Sequence, residues 1–79
     1  MDIQKLKYFY TTAKLEHITR ASEILHISQP SLTQAIQSLE FELGVSLFER
    51  QGRRISLTQF GKYLKERLDA LLPQFDNIP

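Results

Sequence analysis

Residues 18–48 have the sequence ITRASEILHISQPSLTQAIQSLEFELGVSLF, which predicts two helices joined by a very short connection. Thr19 is a favourable N-cap for the first helix, which we expect to end near His26. Ser28 is a favourable N-cap for the second helix, and Gly44 suits the left-handed position after its last turn. A connection of about three residues forces a sharp angle between two helices, as in a helix-turn-helix.

Apolar residues recur at helical spacing in both helices and in an earlier segment, residues 2–15, for which Asp2 is the expected N-cap. The buried face of this earlier helix is predicted to contain Ile3, Leu6, Phe9, Tyr10 and Ala13. In the helix from Thr19 the predicted inward residues are Ala21, Ile24 and Leu25, with Ile18 packing against the first turn. In the helix from Ser28 they are Leu32, Ile36, Leu39 and Leu43. Together these faces predict a three-helix core.

The periodicity changes after the third predicted helix. Residues 47–50 and 54–57 are short runs compatible with β-strands, and Gln51-Gly52-Arg53 between them predicts a hairpin. A last helix is expected to begin at Thr58, another favourable N-cap, and Pro73 should end or kink it. The predicted fold is therefore mainly α: a winged helix-turn-helix of three helices and a two-stranded wing, followed by a long linker helix.

The composition excludes several classes of protein. The chain has no cysteine, which removes Cys-based zinc sites and Cys nucleophiles. It also has no apolar run long enough to cross a membrane and no signal-peptide pattern, so we expect a cytoplasmic location and no membrane partner. The formal charge is only +1, but six basic and two acidic side chains fall within residues 49–67. A basic patch in one stretch is compatible with an acidic partner.

The outward face of the third helix has an unusual composition. No charged side chain occurs from Ser28 to Ser38, although exposed helix faces ordinarily carry ion pairs. Gln, Ser and Thr side chains can bond base edges, and a helix N-terminus favours a backbone phosphate. Three arginines, Arg50, Arg53 and Arg54, cluster about the predicted hairpin turn, and arginine is favoured in narrow minor grooves. Each feature alone could be a solvated surface, but together they favour double-stranded DNA.

Four segments in this order and spacing resemble the winged helix-turn-helix of LysR-type transcriptional regulators over essentially the whole chain. They are Ala21-Ser22-Glu23-Ile24-Leu25, Ile27-Ser28-Gln29-Pro30-Ser31-Leu32, Leu39-Glu40 with Leu43-Gly44, and Leu47-Phe48-Glu49-Arg50. The resemblance implies a bacterial transcription regulator that binds an imperfect promoter palindrome as a homodimer. It also implies a small-molecule effector bound by a C-terminal domain, which we expect to lie outside these 79 residues.

The resemblance also implies which side chains contact DNA. The matching positions in the third helix are Gln29, Pro30, Ser31, Thr33, Gln34 and Gln37, and those in the wing are Arg50, Arg53 and Arg54. We expect the glutamines, Ser31 and Thr33 to read base edges, although Ser31 and Thr33 could instead hold phosphates. Arg53 would enter or flank the minor groove. Many family members have arginine where this chain has Gln34, Gln37 or Ser38, which predicts a preference for A·T pairs.

The last helix would pair antiparallel with that of a partner subunit, as the resemblance implies. Its candidate dimerisation residues are Phe60, Tyr63, Leu64, Leu68, Leu71, Leu72 and Phe75. The chain is thereby divided into a DNA-binding domain, residues 1–58, and a linker (dimerisation) helix and tail, residues 59–79. The same apolar face could instead pack on its own domain, and it is wide enough for both.

Three other functions remain as alternatives. A winged helix that binds protein would need apolar residues on the outward face of the third helix, where only Pro30 and Phe41 qualify. An enzyme or metalloprotein would need converging titratable groups, and His17 and His26 form no such group with a cysteine. An RNA-binding domain would need exposed stacking aromatics. We therefore expect no catalysis and no cofactor.

Overall fold

The computed structural model of the chain describes residues 2–52 and 54–71. These residues form four helices and one two-stranded antiparallel sheet. The elements follow in the order α1 (Ile3–Leu15), α2 (Ile18–Leu25), α3 (Gln29–Leu43), β1 (Phe48–Gln51), β2 (Arg54–Leu57) and α4 (Gln59–Leu71). The predicted winged helix-turn-helix is confirmed. None of the helices in the described ranges is long and apolar enough to cross a membrane.

Side-chain caps set most of the helix boundaries as predicted. The Asp2 carboxylate accepts a hydrogen bond from the Lys5 N–H at 2.8 Å, and Ser28 Oγ accepts one from the Ser31 N–H at 3.2 Å. Gly44 ends α3 in the left-handed region, with φ of +73°. A capped start and a glycine stop therefore fix the length of the helix that carries the candidate site.

The predicted N-cap of α2 is wrong by two residues. His17, and not Thr19, is the N-cap: its Nδ1 accepts a hydrogen bond from the Arg20 N–H at 3.1 Å. Ile18 is therefore the first helical residue, and it packs half-buried against the core formed by α2 and α3. An unprotonated imidazole nitrogen can accept this bond as a Ser or Thr hydroxyl does. His17 therefore takes the capping position in place of Thr19.

The core consists of two adjoining clusters. One contains Phe9, Tyr10, Ala13, Leu39, Leu47 and Leu68, and the other contains Ala21, Leu32 and Ile36. Phe48 packs against both, with its ring centroid 5.5 Å from that of Phe9. The wing is therefore anchored in the same core that holds α3.

Three residues predicted to face inward are exposed instead: Ile3, Ile24 and Leu43. Ile3 begins α1 and Leu43 ends α3, so neighbouring elements cover them poorly. The buried side of α2 lies around Ala21 and Ser22, with Leu25 half-buried between them. At about 100° per residue, Ile24 points about 110° away from the centre of that side.

The hairpin forms at the predicted place. Its register pairs Phe48 with Leu57 and Gln51 with Arg54, which leaves a two-residue connection whose first residue, Gly52, has φ of +64°. The predicted strand from Leu47 begins one residue later, at Phe48; Leu47 is buried in the core and its N–H donates to the Glu40 carboxylate. Arg53 completes the connection and lies outside the described residues.

Helix α4 is packed closely onto the wing. Thr58 caps it as predicted: its Oγ1 accepts a hydrogen bond from the Gly61 N–H at 3.0 Å and donates one to the Ser46 carbonyl at 2.7 Å. A Cβ at Gly61 would lie 2.2 Å from the carbonyl oxygen of Leu47, so only glycine permits this approach. The predicted break at Pro73 falls outside the described residues.

Candidate nucleic-acid interface

One open, concave surface joins α3 to the wing. It is lined by Gln29, Pro30, Thr33, Gln34, Gln37 and Arg50. These are six of the nine side chains that sequence reasoning assigned to DNA contact. None of the described residues that line it is acidic, so Arg50 gives the surface a positive charge. The structure therefore gathers the glutamines and the first wing arginine in one place.

The opposite side of α3 holds this surface in a fixed orientation. Leu32, Ile36 and Leu39 are buried on the core side of the helix. Because residues three and four apart share one side of a helix, burying this stripe fixes the direction of the polar side. The outward glutamines are thus presented by a rigid element and not by a loop.

Ser31 is exposed beside this surface and is not one of its lining residues. Its backbone N–H donates to Ser28 Oγ, and the Ser28 hydroxyl donates to Ser31 Oγ at 2.9 Å. Ser31 Oγ therefore acts as an acceptor here, and its own proton can still be donated outward. The first turn of α3 therefore has its N-cap hydrogen bond in place and also presents the Ser31 hydroxyl as a donor toward the outside.

The two described wing arginines lie on opposite faces of the hairpin. Arg50 pairs with Ile55 across the strands, whereas Arg54 pairs with Gln51. Directly opposed residues share a face and successive residues alternate, so Arg50 and Arg54 point in opposite directions. Arg50 lines the surface on α3, and Arg54 lines a second depression that includes His17. Arg53 lies outside the described residues.

Two carboxylates that sequence reasoning missed hold the wing in place. Glu40 Oε2 accepts hydrogen bonds from the N–H groups of Leu47 at 2.6 Å and Phe48 at 3.3 Å. Glu16 Oε2 accepts one from the Leu57 N–H at 3.0 Å. The sequence does indicate that Glu40 has a partner. A negative charge in the last turn of a helix is unfavourable beside the negative end of the helix dipole, and a hydrogen-bond donor compensates for it. Glu16 carries no comparable signal in the sequence.

The candidate dimerisation residues divide between two sides of α4. Leu68 is buried and Leu64 is half-buried against the core of the same chain. The outer face of α4 presents Phe60, Tyr63 and Leu71, which are 59%, 63% and 68% exposed. Leu72 and Phe75 lie outside the described residues.

The two histidines considered as metal ligands lie at the two ends of α2. His17 is the N-cap of α2, and His26 ends that helix with φ of +58°. In residues 2–52 and 54–71, no three His, Asp or Glu side chains come together as they would around a metal ion. Phe41 is 89% exposed on α3, beyond the concave surface.

The family model described as "Bacterial regulatory helix-turn-helix protein, lysR family" matches residues 3–62. Among curated proteins, the uncharacterized HTH-type transcriptional regulator YybE of Bacillus subtilis (strain 168) is 44% identical over 75 residues, which are 95% of this chain and 26% of that protein. The HTH-type transcriptional regulator TfdT of Cupriavidus pinatubonensis is 43% identical over 72 residues, 91% of this chain and 32% of that protein. The chain thus spans about a quarter to a third of these relatives.

Solved structures with the same fold include complexes with DNA. The CbnR DNA-binding domain in complex with DNA superposes with a TM-score of 0.85 at 38% identity, covering 98% of this chain and 88% of that one. The BenM DNA-binding domain in complex with benA site 1 DNA gives a TM-score of 0.86 at 35% identity, covering 98% and 90%. This chain therefore resembles both DNA-binding domains in sequence as well as in fold.

Proposed function

Because this chain belongs to the lysR family of bacterial regulatory helix-turn-helix proteins, we propose that it binds double-stranded DNA sequence-specifically as part of a transcription regulator. The observation that carries the proposal is the single surface formed by the outward side of α3 and Arg50. An α-helix about 10–12 Å in diameter fits the major groove, which is about 12 Å wide. The proposed mode of binding therefore places α3 in that groove.

The uncharged side chains of α3 carry the proposed base readout. Gln29, Gln34 and Gln37 lie on one open surface, where each amide presents a donor and an acceptor to the groove. Glutamine bonds adenine N6 and N7 in a bidentate manner, which favours A·T pairs in the half-site. Thr33 lies among them, and Ser31 stands at the helix start, where it can reach a phosphate.

The wing is proposed to hold the sugar-phosphate backbone and the minor groove. Arg50 continues the α3 surface, so it can neutralise a phosphate beside the major groove. Arg54 points from the opposite face of the hairpin and would meet a different phosphate. Arg53, at the hairpin turn, is the residue proposed for the minor groove, where a narrow groove concentrates negative potential.

A homodimer is proposed through the outer face of α4, Phe60, Tyr63 and Leu71, whose apolar side chains are largely exposed. Two copies related by a two-fold axis would read a palindromic site. The division between residues 1–58 and 59–79 stays a prediction. In the whole protein, a small-molecule effector would bind outside these 79 residues. We assign the chain a cytoplasmic location and a binding role without catalysis.

Fluorescence anisotropy tests the proposal. A duplex selected by this chain from a random library is compared with its scrambled counterpart between about 50 and 200 mM salt. We expect the selected duplex to bind on the order of 10³-fold more tightly, and the preference to persist as salt rises. Equal, steeply salt-dependent binding of both duplexes would contradict base readout. Failure of the selection to enrich any duplex, with no binding at low salt, would favour the protein-binding alternative.

A further inference from the structure

Helix α4 packs Leu64 and Leu68 against the core and is also held by polar or close backbone contacts at two separate places. The first is its N-terminal turn, where Thr58 bonds Ser46 and Gly61 lies against the Leu47 carbonyl. The second is Asp69, eight residues further along, which contacts α1. At 1.5 Å per residue the two places are about 12 Å apart along the helix. Apolar packing is non-directional, so the two attachments restrict the angle of α4 more closely than the packing of Leu64 and Leu68 alone.

The second attachment depends on a buried hydroxyl. Tyr10 is 2% exposed, and its hydroxyl donates a hydrogen bond to Asp69 Oδ1. Lys65 Nζ bonds the other carboxylate oxygen, Oδ2, at 3.0 Å and lies 5.8 Å from the centre of the Tyr10 ring. The Tyr10 hydrogen bond, and then that of Lys65, lowers the pKa of Asp69. The carboxylate is therefore charged and held on both oxygens at neutral pH.

The contact lies on the side of α4 away from the proposed partner. At about 100° per residue, Phe60, Tyr63 and Leu71 fall within one arc of about 80°, and Asp69 is on the opposite side of the helix. A second copy seated on the outer face would leave the bond between Tyr10 and Asp69 uncovered. The contact is therefore made equally in the free chain and in a dimer.

We infer that Tyr10 and Asp69 determine which separation between two DNA half-sites the dimer accepts, an inference that rests on the proposed function. In such a dimer, the angle between α4 and the rest of each domain sets the distance between the two α3 helices. The domain measures 31 × 26 × 21 Å, so a rotation of the domain about α4 acts over a distance on the order of 20 Å. Over about 20 Å, a rotation of about 10° displaces α3 by about 3.5 Å, close to the 3.4 Å rise of one base pair.

Tyr10→Phe is the main test, because it removes the hydroxyl and keeps the buried ring. Asp69→Ala tests the other partner at a more exposed site. Tyr8→Phe is the matched control, because it also removes a tyrosine hydroxyl from α1, one that accepts a hydrogen bond from Gln4 of the same helix at 2.9 Å. Each chain is titrated with duplexes that carry two inverted copies of the selected half-site, separated by distances that change one base pair at a time. A duplex with one half-site is measured in parallel.

We expect the parent chain and Tyr8→Phe to prefer one separation about tenfold over its neighbours, since both half-sites must be engaged simultaneously. In Tyr10→Phe and Asp69→Ala this preference should fall below about threefold, with single half-site affinity unchanged within about twofold. An unchanged preference in both variants would overturn the role of the contact and leave the proposed function standing. A parent chain that binds the half-site without any preferred separation would overturn both the proposed dimer and this inference. A parent chain that binds no duplex would overturn the proposed function as well.

Discussion

Glu40 of α3 accepts a hydrogen bond from the backbone N–H of Leu47 at 2.6 Å, directly before the first strand of the wing. The same oxygen accepts the N–H of Phe48, which leads into the strand that carries Arg50. One carboxylate thus joins the helix proposed for the major groove to the hairpin proposed for the backbone. The two surfaces proposed to meet DNA are therefore not positioned independently.

Glu40→Ala should destabilise the fold by about 1–3 kcal/mol, because two partly buried N–H groups lose their acceptor. Glu40→Gln should cost less, since an oxygen acceptor remains and only the charge assistance is lost. Urea denaturation followed by circular dichroism gives both values. Glu23→Ala, at an exposed glutamate of α2, is the control and should stay within about 0.5 kcal/mol of the parent. Equal stability of Glu40→Ala and the control would rule out the bracing role.

Gln34→Ala should weaken binding to the selected duplex by about 1–3 kcal/mol and leave binding to the scrambled duplex nearly unchanged. The reason is that an amide reading a base edge contributes only where the correct base is present. Anisotropy titrations measure both affinities, and Gln59→Ala on α4 controls for loss of an exposed glutamine. An equal loss on both duplexes would show that Gln34 contacts only the backbone.

Arg50→Gln and Arg54→Gln should each weaken binding to all duplexes and lower the salt slope by about one, because each removes one phosphate contact. Their effects should add, since the two side chains leave opposite faces of the hairpin and share no partner in the register. The measurement is the slope of log affinity against log salt. Lys62→Gln, which removes a charge from α4, should leave the slope unchanged. A slope unaffected by Arg50→Gln would place that residue away from DNA.

His17→Ala should destabilise the chain by about 1 kcal/mol, and His17→Asn should retain most of the stability, because asparagine also caps helices well. Thr19→Ala, at the position that the sequence favours as the cap, should be nearly neutral. Thermal denaturation distinguishes the two positions directly. The reverse order of effects would return the cap to Thr19.

The contact between Tyr10 and Asp69 should weaken in acid. The pKa of Asp69 is lowered in the folded chain by the Tyr10 hydrogen bond and then by Lys65. A lowered folded pKa gives stability that is present above the unfolded value, near 3.9, and is lost as pH falls through the folded value. The parent should therefore lose more stability than Tyr10→Phe between neutral pH and about pH 3. Parallel acid profiles of the two chains would show that the bond does not depend on the charge.

Local chemistry made much of the fold predictable. Ser28, Gly44 and Thr58 each fix a helix end through their own side chain or backbone preference, and the sequence alone shows those preferences. The glutamine surface was predictable because helical spacing places its members on one side of α3. These signals act within a few residues, which is the range over which sequence patterns are informative.

Several features that the sequence does not predict depend on contacts between residues that are distant along the chain. Glu16 bonds an N–H that lies 41 residues away, and Tyr10 bonds a carboxylate 59 residues away. Ile24 has the apolar character of a core residue, yet α1 and α3 cover a different side of its short helix. The cap at His17 is likewise not evident from the sequence, because threonine is a commoner cap than histidine and Thr19 lies two residues away.

The opposed directions of Arg50 and Arg54 have a consequence for which groove shapes the wing would accept. Side chains on opposite faces of a two-stranded ribbon point away from each other, so Arg50 and Arg54 could reach toward the two backbones that border a minor groove about 6 Å wide. With one arginine reaching each wall, the ribbon would act as a gauge of that width. In a wide groove only one wall would be within reach, whereas in the narrow groove of an A-tract both would be. Sequence preference would then extend to base pairs that no side chain touches.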